Sequence, residues 1–369
     1  MEPAEPLVVH VVTSLDFGGV ESHMETLAGV QSLAAYRHSF CAISGGGRVA
    51  ENLRRSGAGV DCLHVAARIP SPAAIWQLFR FFRARRPQVV HTHGAEANFH
   101  GLIAAALARV PVRVGEEIGI PSHGRLARVL FAFAFLCSHK VIGVSQSVTD
   151  WLVGHGEVSR RRAVTLLNPV RLPAVGQVGS EAKGEPFRAC FIGRLEEVKN
   201  LVELVAAFDG LVRGGADASL WLVGEGSQRE ELERMIEERG LGEAVRLCGY
   251  HPAPAEILAQ CHVCVQPSLS EGFGLALVEA MGCSVPVIST RVGAAPDLIQ
   301  SGVSGWLVEG FDRTAIQEML ERAYRTPRAH LSQMGSNARR LVATLFDPVA
   351  YLGGLESLYD IVQAEVRAK

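Results

Sequence analysis

The sequence has no long apolar run. Its longest strongly apolar stretch, Val129 to Cys137, is nine residues, whereas a membrane-spanning helix needs about 20, so a core helix is expected there. No charge sign is in excess: 36 Lys and Arg face 38 Asp and Glu, for a net charge of −2, which argues against a nucleic-acid binder. The opening residues, Met1-Glu2-Pro3-Ala4-Glu5-Pro6, place no positive charge ahead of an apolar stretch, so no secretory signal is expected. The 8 cysteines are scattered, mostly inside apolar runs. Their one close pair, Cys261-His262-Val263-Cys264, lacks the second pair a structural zinc site normally needs. Buried, reduced thiols in a cytoplasmic protein are expected. Three chemical signatures are also missing. There is no Asp-x-Asp triplet to clamp a metal-bound diphosphate, no G-x-x-x-x-G-K-[ST] phosphate loop and no G-x-S-x-G nucleophile elbow.

Strand-like and helix-like segments alternate along the chain. Strands are expected at Leu7–Thr13, Ser39–Ile43, Val60–Val65, Val89–His93, Val112–Glu116 and Val141–Val144, with helices at Ala73–Arg85, Ala97–Arg109 and Arg125–Leu136 between several of them. Pro173 to Pro186 has no apolar period and reads as a linker. The alternation then restarts at Phe187–Ile192 and ends in helical stretches from Thr314 to Ala368. Such alternation predicts two α/β domains with parallel sheets, and in open α/β sheets ligands bind beyond the carboxyl ends of the strands.

The candidate chemistry sits in those strand-end loops. Phe17-Gly18-Gly19-Val20-Glu21 follows the first strand and opens a helix, where glycine and free amides suit a phosphate; a plain tight turn fits the same residues. Gly45-Gly46-Gly47-Arg48-Val49-Ala50 has dinucleotide-fingerprint spacing, but it follows the wrong strand and lacks the acidic residue further on, so a flexible loop fits better. His91 and His93 end a strand and share a face, and His93 at the carboxyl end can donate a hydrogen bond or move a proton. In the second half, Gly193, Arg194 and Lys199 occupy a strand-to-helix loop, with two cations placed to suit a diphosphate. Val223-Gly224-Glu225-Gly226 repeats the strand and glycine-turn pattern. The densest segment runs from Ser270-Glu271-Gly272-Phe273-Gly274-Leu275 to Glu279. It sets a carboxylate beside a helix start near Leu275 and a second carboxylate about one turn in. An inward Glu on an apolar helix is expensive without a partner.

These motifs, in this order and over nearly the whole chain, resemble the retaining glycosyltransferases of family 4 (glycosyl transferases group 1). Asn168-Pro169, Lys199-Asn200, Pro286-Val287-Ile288 and Gly293 belong to the same resemblance. It implies the GT-B fold, two Rossmann-like doubly wound domains facing across a cleft: an acceptor domain over 1–172 and a nucleotide-sugar donor domain over 187–349. The helix at about 350–369 would pack back on the first. Arg194 and Lys199 would hold the donor diphosphate, Gly19 would offer it an amide, Glu271 would contact the transferred sugar, Glu279 the ribose, and His93 the sugar near the reacting centre. Gly18, Gly193, Gly224, Glu225, Gly272, Phe273, Gly274 and Leu275 would line the donor. The implied activity is transfer from a UDP- or GDP-sugar to a glycan or lipid-linked acceptor, in cell-surface polysaccharide or lipopolysaccharide synthesis, with no cofactor and no required metal. Arg80, Arg83, Arg85 and Arg86, with the apolar run Val129–Cys137, would suit an anionic membrane surface, which would make the protein cytoplasmic and peripheral to the membrane's inner face. Competing readings are another GT-B enzyme such as an epimerase, and a catalytically silent sugar-nucleotide binder.

Overall fold

The computed structural model describes residues 5–368 except 17, 122–123, 171 and 173–185; Phe17 and most of the expected linker lie outside the described residues. The chain divides into two compact units, Met1–Arg171 with Phe346–Lys369, and Leu172–Leu345.

The first unit runs β1 (Leu7–Val12), α1 (Gly19–Val30), β2 (Arg37–Ala42), α2 (Arg48–Arg55), β3 (Gly59–Cys62), α3 (Pro72–Arg85), β4 (Val89–His93), α4 (Ala95–Leu107), β5 (Val112–Glu117), α5 (Arg125–Leu136), β6 (Lys140–Gly143), α6 (Gln146–Gly154) and β7 (Ala163–Thr165). Its parallel sheet has the order β3-β2-β1-β4-β5-β6-β7. β1, Leu-Val-Val-His-Val-Val, is buried along its whole length, as an apolar strand covered on both faces must be. Helix starts follow local chemistry: Ser71 accepts from the Ala74 amide ahead of Pro72, and Ser145 accepts from the Val148 amide, each satisfying a donor the helix leaves open.

The second unit runs β8 (Phe187–Ile192), α7 (Leu201–Arg213), β9 (Ala218–Val223), α8 (Arg229–Glu238), β10 (Val245–Gly249), α9 (Pro254–Leu258), β11 (Val263–Gln266), α10 (Leu275–Gly282), β12 (Val287–Thr290), α11 (Ala295–Leu298), β13 (Gly305–Val308), α12 (Arg313–Arg325) and α13 (Arg328–Leu345). Its parallel sheet has the order β10-β9-β8-β11-β12-β13. The last helix, α14 (Pro348–Arg367), belongs to the first unit and places Tyr351, Leu355, Tyr359 and Val362 in a core shared with Val8, Met24 and Ile142.

Two expectations change. The Gly45–Gly47 segment is tied down: Leu15 donates to the Gly45 carbonyl at 3.0 Å, and the Gly47 amide donates back to Leu15 at 2.9 Å. Helix α5 is no core helix. Phe131, Ala134 and Phe135 are buried, but Val129, Phe133 and Leu136 are more than half exposed, because only one face meets α4. The eight cysteines are free thiols, four of them buried.

Candidate active site

In both sheets the strand order reverses beside the unit's first strand, between β1 and β4 and between β8 and β11. Ligands of doubly wound folds settle beyond the strand ends at that reversal. The loops after β8, β9 and β11 carry the second unit's candidate residues, and direct bonds join them.

Lys199 ends a short 3₁₀ turn after β8. Its Nζ donates to Glu271 Oε1 at 2.5 Å, and both side chains are mostly buried, at 16% and 19% exposed. Ser268 Oγ donates to the same Glu271 oxygen at 2.8 Å, and Thr290 Oγ1 at the end of β12 donates to the Ser268 carbonyl at 2.6 Å. The Leu269 amide donates to Val198 at 2.8 Å, knitting the two loops together. One carboxylate oxygen thus accepts a charge-assisted bond and a hydroxyl bond at once, which fixes the ammonium group in space. Gly293 presses on this loop: a Cβ there would come 2.8 Å from both Glu271 Cβ and the Phe273 carbonyl oxygen, at φ +58°. The Ala294 amide donates to that same carbonyl at 3.0 Å. Gly274, at φ +95°, precedes α10, so Leu275 starts that helix. Glu279 lies one turn in and is half-buried, and burial raises its carboxyl pKa.

The Gly193 and Gly224 turns meet backbone to backbone. A Cβ at Gly224 would run into the Gly193 carbonyl oxygen, the Leu195 amide donates to Glu225 at 2.9 Å, and the Gln228 amide donates to Leu195 at 2.9 Å. Glu225 itself pairs outward with Arg229 at 2.9 Å. Arg194 is exposed on the same loop.

In the first unit, Gly18 and Gly19 are exposed at the start of α1. The half-buried Glu21 folds towards Gly18 and accepts from Ser14 at 3.1 Å; burial raises its pKa. His93 differs from expectation. Its side chain is wholly buried, with Nε2 2.9 Å from His10 Nδ1 and Nδ1 3.3 Å from Glu116 Oε1. Both ring nitrogens face inward, so in this arrangement His93 presents none to a donor sugar. Around it, burial depresses the His23 imidazolium to about 4 and that of His91 to about 3. Burial raises the Glu116 carboxyl, but His93, His91 and His23 outweigh it and hold the group well below the ordinary carboxylate range.

Sequence reading missed Ser268 and Thr290, whose roles depend on loop closure, and the partners of His93. One signal was present: His10 interrupts an otherwise apolar central strand.

The sequence model of the family described as Glycosyl transferases group 1 matches residues 177–341, and that of Glycosyltransferase Family 4 matches residues 17–172. The chain belongs to this group 1/family 4 type of GT-B glycosyltransferase. Among curated relatives, it is 32% identical over 179 residues to the N-acetyl-alpha-D-glucosaminyl L-malate synthase of Bacillus anthracis, covering 48% of this chain and 46% of that protein. It thus spans about half of that relative's length. It is 24% identical over 319 residues to the capsular polysaccharide biosynthesis glycosyltransferase CapM of Staphylococcus aureus, covering 80% of this chain and 82% of the relative. The crystal structure of Anabaena HepE in complex with UDP superposes with a TM-score of 0.80 at 18% identity, over 96% of this chain and 99% of that one. That likeness shows the fold, two Rossmann-like α/β units.

Proposed function

We propose that this glycosyltransferase moves a sugar from a UDP- or GDP-sugar to a glycan or lipid-linked acceptor, with retention at the anomeric carbon and without a required metal, in the synthesis of cell-surface polysaccharide or lipopolysaccharide. The observation that carries this reading is the fixed Lys199–Glu271–Ser268 group at the strand-order reversal of the second unit. A leaving diphosphate needs its charge balanced, and a preorganised cation does so at no reorganisation cost during the reaction. Lys199, with Arg194 and the loop amides, supplies that balance; Glu271 holds Lys199 and meets the sugar; Glu279 meets the ribose. In the step itself the bond from the anomeric carbon to phosphate oxygen breaks and the bond to the acceptor oxygen forms on the same face. The departing phosphate takes the acceptor's proton. UDP bound to HepE and the capsular role named for CapM support the donor and acceptor classes.

We place the enzyme at the inner face of an anionic membrane. Helices α3 and α5 both pack on α4. α3 exposes Trp76, Arg80 and Arg83, and α5 exposes Val129, Phe133 and Leu136. A layer with cations beside exposed apolar side chains suits a lipid interface.

Thermal-shift titration with UDP, GDP, ADP and their sugars, in EDTA, tests the donor assignment. A ligand that binds the native state raises the melting temperature as its concentration exceeds Kd. One nucleotide should shift it clearly; no shift with any of them refutes the donor site.

A further inference from the structure

The first unit holds a buried group of side chains that the transfer chemistry leaves unused. His10 (β1), His91 and His93 (β4) and Glu116 (β5) point to one place, with His23 from α1 above them, all at most 3% exposed. The nitrogens His23 Nδ1, His91 Nε2 and His93 Nδ1 and both Glu116 oxygens are buried without a hydrogen-bond partner. Left so, each would carry a desolvation cost.

A hydrogen-bond chain assigns the His93 tautomer. Glu356 Oε1 accepts from the Tyr36 amide at 3.0 Å, so His38 Nε2, 3.5 Å from that same oxygen, carries a proton. His38 Nδ1 therefore accepts from His10 Nε2 at 2.8 Å, and His10 Nδ1 accepts from His93 Nε2 at 2.9 Å. A neutral His93 then keeps its lone pair on Nδ1, aimed at Glu116 Oε1 from 3.3 Å. Two electron-rich atoms face each other this way only with a positive species between them.

We propose that this species is a divalent cation of the zinc type, bound by His23 Nδ1, His93 Nδ1 and Glu116 Oε1. The spacings fit. His23 Nδ1 lies 3.7 Å and His93 Nδ1 3.3 Å from Glu116 Oε1, whereas His91 Nε2 lies 3.4 Å from the other oxygen, Oε2, beside the group. Bonds of about 2.0–2.1 Å in a tetrahedron give ligand-to-ligand edges of about 3.3–3.4 Å. One outer partner fits, since metal-bound histidines hydrogen-bond through their second nitrogen: His93 Nε2 meets His10 at 2.9 Å, while His23 Nε2 is buried without a hydrogen-bond partner. The neighbouring triad His10, His91 and His93 fits less well, because the 2.9 Å between its His10 and His93 nitrogens is hydrogen-bond spacing. Two imidazoles and a carboxylate suit zinc over magnesium or calcium. All three ligands are at most 3% exposed, so no substrate reaches the ion and it is structural.

The test uses the full chain without a histidine tag, loaded with zinc chloride, desalted and analysed for metal. About one zinc per chain should survive, and the melting temperature should rise with zinc and fall with chelator, as expected when metal binding is coupled to folding. His23→Gln and Glu116→Gln should each retain less than about a tenth of that zinc at equal concentration. X-ray absorption on the loaded wild type guards against variants that fail to fold: a shell of nitrogen and oxygen with imidazole scattering supports the site, and sulfur ligation places the ion on the cysteines and overturns it. No retained zinc and an unchanged melting temperature also overturn it, and make the positive species a proton on His93.

Discussion

Lys199 is the residue on which the donor reading turns. Its ammonium group has only Glu271 as an anionic partner among the described contacts, so it keeps capacity for a diphosphate. Lys199→Ala should lower kcat about 10²–10³-fold, the range for loss of one preorganised charge-stabilising group, while circular dichroism stays native; wild-type turnover in that variant would sink the assignment. Glu279 gives a pH prediction. Burial raises its folded pKa above the ordinary value of 4.5, so the native state holds this proton more tightly than the unfolded chain does. The stability this carries is full below the ordinary carboxylate pKa and is lost as pH rises through the folded pKa. Glu279→Gln stays neutral throughout, so its urea midpoint should gain on the wild type as pH climbs from about 4 towards 8. A constant difference across that range would refute the burial argument. At this scale the sequence disclosed Lys199, Glu271 and Glu279 through their place in strand-to-helix loops. It hid the surroundings of His93, because His10, His23 and Glu116 reach that side chain from three other elements.

Elements were legible where period and length agreed. β4 (Val89–His93), β8 (Phe187–Ile192) and α5 match the expected bounds, since each joins a clear apolar pattern to a glycine, proline or polar boundary. β7 and β13 escaped notice because Ala163–Thr165 and Gly305–Val308 are too short for alternation to register. α2 escaped because it starts inside a segment read as a glycine loop. Packing between elements was invisible altogether. Gly335 on α13 lies against the chain leaving α10, where a Cβ would strike the Ser284 carbonyl oxygen, and Ser284 itself has φ +58°. Gly335→Ala should therefore cost about 1–3 kcal/mol through overpacking, despite alanine's better helix propensity. Urea unfolding measures this, and a stabilised variant would contradict the packing described.

At the scale of the whole molecule, the membrane assignment rests on the outer face of the α3–α4–α5 layer. Phe133→Ser with Leu136→Ser removes two side chains that are 58% and 66% exposed, so the fold should not notice. Co-sedimentation with phosphatidylglycerol vesicles at low salt should fall at least about tenfold, given roughly 1.5–3 kcal/mol for burying each such apolar side chain. Equal binding by both proteins would move the contact elsewhere, and wild-type protein that ignores the vesicles would end the assignment. Two-domain organisation was legible from the restart of the alternation at Phe187; that the first unit closes only with residues after Leu345 came from the family resemblance, because no local pattern reports where α14 packs.

That closure has a consequence on the ribosome. The second unit is one continuous stretch, whereas the first must wait for Tyr351, Leu355 and Tyr359 to complete its core. The interval from Arg171 to Phe346 is 346 − 171 = 175 residues, roughly 10–35 s of synthesis at about 5–20 residues per second. Throughout that time His23 and His91 lack the Tyr351 and Tyr359 rings that pack against them, so the earlier half of the protein is the later one to mature.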